Sequence, residues 1–154
     1  MNKSIQRFIF AAVACGVAGA SFAEVKPEDE IRYRQSVMNV IGRNFGGVLG
    51  AMAKGERPYD QAAAVKAATL VDMLSSLPAN SFGPGTDKGA PTKADPKIWK
   101  DSAKFKAAYD KMVAEVAKLP AAAKDLNSLK AQVAETGKAC KACHDDFRTK
   151  EFRS

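Results

Sequence analysis

The amino-acid sequence predicts an all-α protein, an antiparallel up-down-up-down bundle of four helices. Four segments place apolar residues at alternating spacings of three and four, which is the rhythm of a helix with one buried face. Proline and glycine interrupt this pattern between the segments. Most of the connections are short, and short connections favour antiparallel neighbours in a bundle.

The first predicted helix begins at Pro27, where proline and three acidic residues form a favourable first turn, and Gly55 and Pro58 end it. Its seam, meaning the row of residues expected to face the core, comprises Ile31, Arg34, Met38, Ile41, Phe45, Val48 and Met52. The second helix is predicted from about Asp60 to Ser76. Its seam comprises Ala63, Ala67, Leu70, Leu74 and Leu77.

The third helix is predicted over about residues 96–118, and Pro120 breaks it. Its seam comprises Phe105, Tyr109, Met112, Val116 and Leu119. The fourth is predicted over about residues 124–150, and its seam comprises Leu126, Leu129, Val133, Thr136, Cys140, Cys143 and Phe147. Residues 78–96, between the second and third helices, are rich in glycine and proline and long enough to form a functional loop.

Residues 1–23 match a secretory signal peptide. Lys3 and Arg7 give a positive start, the apolar run that follows is too short for a membrane span, and small residues precede a cleavage site after Ala23. A lipoprotein anchored at Cys15 is a poorer match, because the apolar run before that cysteine is very short. The sequence therefore predicts export to the periplasm with no membrane anchor in the mature chain.

The mature domain, residues 24–154, keeps 131 of the 154 residues and is long enough to bury one core. Loss of Lys3 and Arg7 lowers its formal net charge from +7 to +5. This mildly basic balance does not require nucleic acid as a partner, and none is expected.

The predicted fourth helix contains a C-x-x-C-H haem attachment motif, Cys140-Lys141-Ala142-Cys143-His144. Each thiol can form a thioether with a porphyrin vinyl group, and the imidazole can bind the iron. Spacings of three and four place the three side chains on one helix face. Because both cysteines lie on the seam, we expect one haem c, bound covalently, inside the bundle. Export agrees with this, since thioether attachment takes place outside the cytoplasm.

Other uses of the cysteine pair fit less well. A zinc site needs about four nitrogen or sulfur ligands, whereas His144 is the only histidine of the chain and Cys15 leaves with the signal. A thioredoxin-like pair opens a helix beside strands, and the sequence has no strand pattern near this pair. A disulfide would leave His144 unexplained.

Two residues of the first seam are candidates for contacts with the haem. Arg34 stands where leucine or isoleucine is expected, and a buried guanidinium is costly unless it is paired. A haem propionate is the favoured partner, while pairing with Glu30 or extension of the side chain to solvent are alternatives. Met38, one turn later, either binds the iron as a sixth ligand or packs over it.

Three further features remain open at this point. Arg148 is four residues after His144, so a continuing helix would place it near the iron, although it also suits a helix C-terminus. Phe82 precedes a Gly-Pro-Gly turn and either packs on the porphyrin or serves as an ordinary core aromatic. A basic C-terminal surface either steers an acidic redox partner or is a solvated helix face; it comprises Lys138, Lys141, Arg148, Lys150 and Arg153.

The mature chain resembles the cytochromes c′, class II cytochromes c that are built as four-helix bundles with a C-terminal haem motif. The resemblance rests on residues 140–148 at the end of the chain and on residues 26–29 and 33–38 near its start. Residues 82–86 of the long loop add a weaker match.

This resemblance implies a haem held by Cys140 and Cys143, with His144 as the only protein ligand of a five-coordinate iron. It implies contacts of three further kinds: from Arg34 and Gln35 to the propionates, from Met38 and Phe82 on the open distal side, and from Arg148 beside the imidazole.

The resemblance also implies a periplasmic homodimer, paired through its first two helices, that transfers electrons or binds NO and CO and is not an enzyme. A low-spin branch of the same fold is the alternative: it uses a methionine at the position of Met38 as sixth ligand and acts purely as an electron carrier, and residues 42–44 and 53–60 resemble it. A haem peroxidase or NO reductase is the third reading, but peroxidases need distal acid–base groups, and the one histidine is already used.

Overall fold

The computed structural model describes residues 25–153. The expected signal peptide, with Cys15 and the cleavage site after Ala23, lies outside the described residues. Four long helical units pack side by side, and the prediction of an all-α up-down-up-down bundle is confirmed. No helix within residues 25–153 combines the length and apolar character needed to cross a membrane.

The first unit is one nearly continuous helix with a wider turn inside it. It consists of α1 (Pro27–Asn44), a π-helical turn (Phe45–Gly50) and α2 (Ala51–Lys54). Gly55 ends the unit with a left-handed φ of 78°, which glycine adopts without steric cost. The π turn shifts the buried face, so Leu49 and Gly50 are buried, while the seam residue Val48 is half-buried and packs against the core.

The second unit is α3 (Gln61–Ser75), whose first turn is capped by Asp60, the side chain of which accepts a hydrogen bond from the Ala63 amide at 2.9 Å. The predicted burial of Leu77 is wrong, since this residue is 43% exposed. The reason is that α3 ends at Ser75, and the chain continues as a 3-10 helix over Leu77–Phe82.

The third unit is interrupted where the sequence predicts one helix. It consists of α4 (Lys97–Lys100), α5 (Ser102–Val116) and α6 (Leu119–Ala122). Asp101 leaves the helical conformation and caps α5 by accepting from the Lys104 amide at 3.1 Å. Four of the five predicted seam residues are buried and Phe105 is half-buried, so this seam is confirmed.

The last unit, α7 (Leu126–Phe147), begins at Asp125, which accepts from the Ser128 amide at 2.9 Å, and it packs mainly on α5. The predicted continuation to Lys150 is wrong. After Phe147 the chain forms strand β2 (Arg148–Arg153), which pairs antiparallel with β1 (Thr92–Ala94) of the long loop.

Contacts distant in sequence hold this small sheet in place. The Asp95 amide donates to the Phe147 carbonyl at 2.9 Å, and the Thr149 hydroxyl donates to the Lys93 carbonyl at 3.2 Å. A third hydrogen bond runs from Arg153 Nη1 to the Ala94 carbonyl at 2.8 Å. The end of the chain is thereby tied to the loop that crosses the open end of the bundle.

The buried apolar residues form two clusters. The main cluster fills the middle of the bundle and includes Leu49, Met52, Val71, Val116 and Leu129. The smaller one, built on Ile98, Cys143 and Phe147, lies where α7 meets α4 and the long loop. Cys143 therefore belongs to the core at the sheet end of the bundle, and half-buried Cys140 packs against the main cluster.

Candidate haem site

Both cysteines of the C-x-x-C-H motif lie in α7 with free thiols. Burial raises the pKa of Cys140, and burial together with the nearby Cys140 and Asp146 raises the pKa of Cys143. Reactive redox pairs and metal thiolates depend on a lowered thiol pKa. These thiols instead stay neutral in an apolar setting, which suits two groups that become thioethers.

His144 follows Cys143 in α7, and both residues line a cavity of the bundle. Part of the residue is open to solvent, but burial of its ring lowers the pKa of His144, and the positive charge of Arg148 lowers it further against the opposing effect of Asp145. The imidazole is therefore neutral near pH 7, as a metal ligand must be. Within residues 25–153, no three histidine, cysteine or acidic side chains come together as a separate metal site.

A cavity of about 590 Å³ opens between α1, α5, α7, the long loop and β2. Its volume lies within the range of cofactor pockets. One side is apolar and is lined by Met38, Phe82, Ile98, Phe105, Tyr109, Met112, Cys143 and Phe147. The other lining residues are polar: Arg34 and Thr92 are buried, whereas Gln35, Asn39, Lys93, His144 and Arg148 lie at the more exposed mouth. The structure thus brings every predicted site residue to one cavity except Cys140, which lies one helical turn before Cys143.

Four rings form a continuous aromatic wall, which we define as Phe82, Phe105, Tyr109 and Phe147. Phe105 is at its centre, with ring centroids 4.9 Å from Phe82, 5.3 Å from Phe147 and 5.7 Å from Tyr109. The Tyr109 hydroxyl donates to the Ser75 carbonyl at 2.7 Å. Burial, followed by the nearby Cys143, raises the pKa of Tyr109, so the phenol stays neutral.

Arg34 is only 3% exposed, so the alternative in which its side chain extends to solvent is wrong. Its Nη1 donates to the Ser81 carbonyl at 2.6 Å and to the Thr86 hydroxyl at 3.1 Å. Its Nη2 donates to the Thr86 carbonyl at 2.7 Å and to the Thr92 hydroxyl at 3.3 Å. Burial lowers the pKa of Arg34 to about 10, an effect partly offset by two nearby carboxylates. The guanidinium is still charged at neutral pH, and a contact with a propionate stays a prediction.

The other predicted contacts reach the cavity in different ways. Gln35 donates to the Pro91 carbonyl at 2.8 Å, and half-buried Met38 packs against the main core. The expectation that Arg148 lies one helical turn beyond His144 is wrong, because this residue is extended, with φ −127° and ψ 123°. It lines the cavity from the start of β2 rather than from a further turn of α7.

Sequence reasoning missed Lys93 and Phe152, which lie at the mouth of the cavity. The Lys93 ammonium is 4.8 Å from the centroid of the Phe152 ring, a cation–π contact between the two strands. No local pattern signals either residue, because both are placed by the pairing of β1 with β2. For Phe105 and Tyr109 the sequence predicted only a position on the buried seam of the third helix, and no contact with a cofactor.

A four-helix bundle whose last helix carries C-x-x-C-H beside a cofactor-sized cavity defines the class of bundle-type cytochromes c. The family model described as cytochrome c′ matches residues 29–148, and the chain belongs to that family. The predicted resemblance is confirmed. The predicted cofactor, covalently attached haem c, is confirmed with it. Cys143 and the neutral imidazole of His144 line the cavity, and the Cys140 thiol lies one helical turn before Cys143, so the chain supplies the donor set that such a haem requires.

Similar proteins cover almost the whole described chain. The cytochrome c′ of Rubrivivax gelatinosus is 53% identical over 127 residues, which are 81% of this chain and 98% of that protein. Its crystal structure has a TM-score of 0.77 at 52% identity and covers 80% of this chain and 97% of its own. A nitric oxide complex of a point mutant of the Alcaligenes xylosoxidans cytochrome c prime has a TM-score of 0.76 at 40% identity, covering 83% and 99% of the two chains.

Proposed function

We propose that this protein is a periplasmic cytochrome c′ that binds NO and CO at a five-coordinate haem c and transfers electrons, without catalysing turnover of a substrate. The observation that carries the proposal is the single cavity in which the C-x-x-C-H end of α7 faces an apolar wall. The nitric oxide complex of the Alcaligenes xylosoxidans protein supports the choice of gas.

Cys140 and Cys143 would hold the haem through thioethers, and His144 would bind the iron. When bound, the haem supplies an iron centre that changes oxidation state and accepts a diatomic ligand. The chain contributes a neutral imidazole, kept so by burial and by Arg148, and a buried setting for both thiols.

The wall of the cavity favours NO and CO over O₂. Bound O₂ needs a hydrogen-bond donor more than the other two gases do, and the polarity of the pocket decides among these ligands. Met38, Phe82 and Met112 have no hydrogen-bond donor in their side chains, and the Tyr109 hydroxyl is bound to Ser75. The wall therefore offers no free phenol to the ligand.

A six-coordinate electron carrier is the second candidate function. It is favoured by one observation, that Met38 lines the same cavity as His144. In that case the Met38 thioether would be a second protein ligand of the iron, and a gas would have to displace it.

The visible spectrum of the reduced holoprotein, recorded with and without CO, separates the two functions. We expect a high-spin spectrum that CO converts to low-spin, and we expect Met38→Ala to leave the unliganded spectrum high-spin. Met73→Ala is the matched control, since Met73 is 68% exposed. A split low-spin α-band without added ligand, lost only in Met38→Ala, would establish the six-coordinate carrier instead.

Three simpler measurements test the rest of the proposal. Acidified organic solvent should fail to extract the pigment from the wild type, and a Cys140→Ala, Cys143→Ala double variant should hold none covalently. Cell fractionation should place the coloured protein, beginning at Glu24, in the periplasm. Peroxide turnover should not exceed that of free haem, and a rate well above it would revive the enzyme reading.

The partner surfaces are proposals of the same kind. Arg148 and Lys150 are exposed near the cavity mouth, whereas Lys138 and Lys141 pair with Glu135 and Asp145 on α7. An acidic redox partner would therefore be steered mainly by the strand residues, and its electron-transfer rate should fall as ionic strength rises. Tyr33 and Val40 on α1 and Leu77 just after α3 are exposed and suit a homodimer, which sedimentation can test.

A further inference from the structure

Residues 81–92 of the long loop form a segment in which Phe82 alone packs against the buried apolar clusters. It contains Gly85 and Gly89, both with positive φ of 81° and 101°, and Pro91. Such a segment has few ways to hold one conformation by packing. Yet it carries Phe82, one of the four rings of the aromatic wall, and buried Thr92, which also lines the cavity.

We infer that Arg34 is the positioning residue that fastens this loop and thereby fixes the aromatic wall. Its two terminal nitrogens bind acceptors on three loop residues that are 47, 52 and 58 positions away in sequence. These bonds span the start, the middle and the end of the loop. One side chain of α1 thus joins the first bundle helix to the whole length of the segment.

The chemistry of the contact explains why an arginine occupies a seam position. A buried charge is tolerated only where its N–H groups are satisfied. Here the acceptors are two main-chain carbonyls and two hydroxyls, and hydrogen bonds with an ionised donor are the strong ones. Loss of the guanidinium would leave the Ser81 and Thr86 carbonyls without this donor at a buried position.

Arg34 also contacts the wall directly. Its guanidinium carbon lies 4.6 Å from the centroid of the Phe82 ring, and that ring meets Phe105 edge-on at 4.9 Å. The next residue, Gly83, accepts a hydrogen bond from the Trp99 indole at 3.0 Å. A guanidinium that holds both the loop backbone and the Phe82 ring fixes the wall against which a gas ligand would bind.

This role differs in a measurable way from a propionate contact. A propionate would accept a lysine ammonium as a point charge, whereas the loop acceptors require the planar fork of arginine. If Arg34 fastens the loop, Arg34→Lys should therefore loosen it. If Arg34 only neutralises a propionate, Arg34→Lys should leave the loop as firmly held as in the wild type. Arg32→Lys is the matched control, because Arg32 lies two residues before Arg34 on α1 and is exposed.

The first experiment is limited trypsin digestion of the purified holoprotein, with cleavage after exposed Lys88 followed by mass spectrometry. We expect Arg34→Lys to speed this cleavage by about tenfold, the factor that corresponds to about 1.4 kcal/mol of lost local stability. Arg32→Lys should match the wild type. Wild-type cleavage rates in Arg34→Lys would overturn the inference.

A double-mutant cycle keeps the inference testable even if Arg34→Lys folds poorly. Thr86→Val removes a hydroxyl that accepts from Arg34 and donates to the Gly83 carbonyl at 2.9 Å, and it leaves the guanidinium in place. We expect it to speed cleavage after Lys88, and we expect this acceleration to be smaller in the Arg34→Lys background than in the wild type, because the bond between residues 34 and 86 is already lost there. A wild-type rate in Thr86→Val, or strictly additive effects, would overturn the inference.

The second readout is the rate of CO association, which rests on the proposed function. We expect Arg34→Lys and Thr86→Val to change it in the same direction by more than twofold, through the freed Phe82 ring, while Arg32→Lys leaves it unchanged. Loosening of the loop does not depend on gas binding. Fast cleavage in a protein that binds no CO would thus refute the proposed function alone, whereas wild-type cleavage and CO rates in both variants would refute the inference alone.

Discussion

Tyr109→Phe separates the structural task of a wall residue from any role in binding the ligand. Tyr109 is 4% exposed, and its ring lines the cavity while its hydroxyl donates to the Ser75 carbonyl at 2.7 Å. Phenylalanine keeps the ring and leaves no void in the wall. The only loss is one hydrogen bond that joins α5 to the last residue of α3.

The magnitude follows from the position of the acceptor. Ser75 is the last residue of α3, where a carbonyl has no partner within its own helix. Removing the donor leaves a buried acceptor unsatisfied, which costs about 1–3 kcal/mol. With a urea m-value of about 2 kcal/mol per molar, the unfolding midpoint should fall by about 0.5–1.5 M.

The pH dependence of this loss has a definite sign. The unfolded phenol ionises near its ordinary pKa of about 10, whereas burial raises the pKa of Tyr109 in the folded protein. The stabilisation from the neutral phenol is complete below pH 10 and is lost as the pH rises further, because only the unfolded chain releases the proton. The difference in unfolding midpoint between wild type and Tyr109→Phe should therefore begin to narrow near pH 10 and keep narrowing as the pH rises above it.

The assay combines urea unfolding, followed by far-ultraviolet circular dichroism, with CO titration of the reduced holoprotein. We expect the CO affinity of Tyr109→Phe to stay within about twofold of wild type. Tyr59→Phe is the matched control: it removes a similar bond, to the Ala123 carbonyl at 3.0 Å, away from the cavity. A tenfold change in CO affinity with an unchanged urea midpoint would refute the reasoning, since the hydroxyl would then serve the ligand.

Three further predictions concern the frame of the site. Asp125→Ala should lower the urea midpoint, because the N-cap of α7 is lost. Hydrogen bonds from Ser128 lower the pKa of Asp125 in the folded protein. The difference in urea midpoint between wild type and Asp125→Ala should therefore shrink as the pH falls below about 4. Gly55→Ala should destabilise the protein by about 1 kcal/mol, because residue 55 has a left-handed φ. Gly46→Ala, which lies in the π-helical turn and has no atom within 4 Å of the added Cβ, should instead raise the urea midpoint. A chain that ends at Arg148 should show faster hydrogen exchange at residues 92–94, measured by mass spectrometry; unchanged exchange would contradict the role of β2.

The parts of the site that follow from helical periodicity could be predicted from the sequence. Cys140, Cys143 and His144 share one turn of a helix, so their common placement follows from spacing alone and the structure retains it. The same logic located Met38 and Tyr109 on inward faces. It failed at Leu77, because α3 ends early and leaves this residue exposed without any change in the apolar pattern.

The parts that depend on main-chain partners far away in sequence could not be predicted. Arg34 was recognised as anomalous because its side-chain type conflicts with its seam position, but its acceptors include the carbonyls of Ser81 and Thr86, and every residue type has a carbonyl. Strand β2 could not be predicted either, because residues 148–153 also suit the C-terminal end of a helix and their sequence does not indicate pairing with β1. A sequence therefore reveals which buried donor needs a partner, and only the fold reveals that the partner is the backbone of a loop.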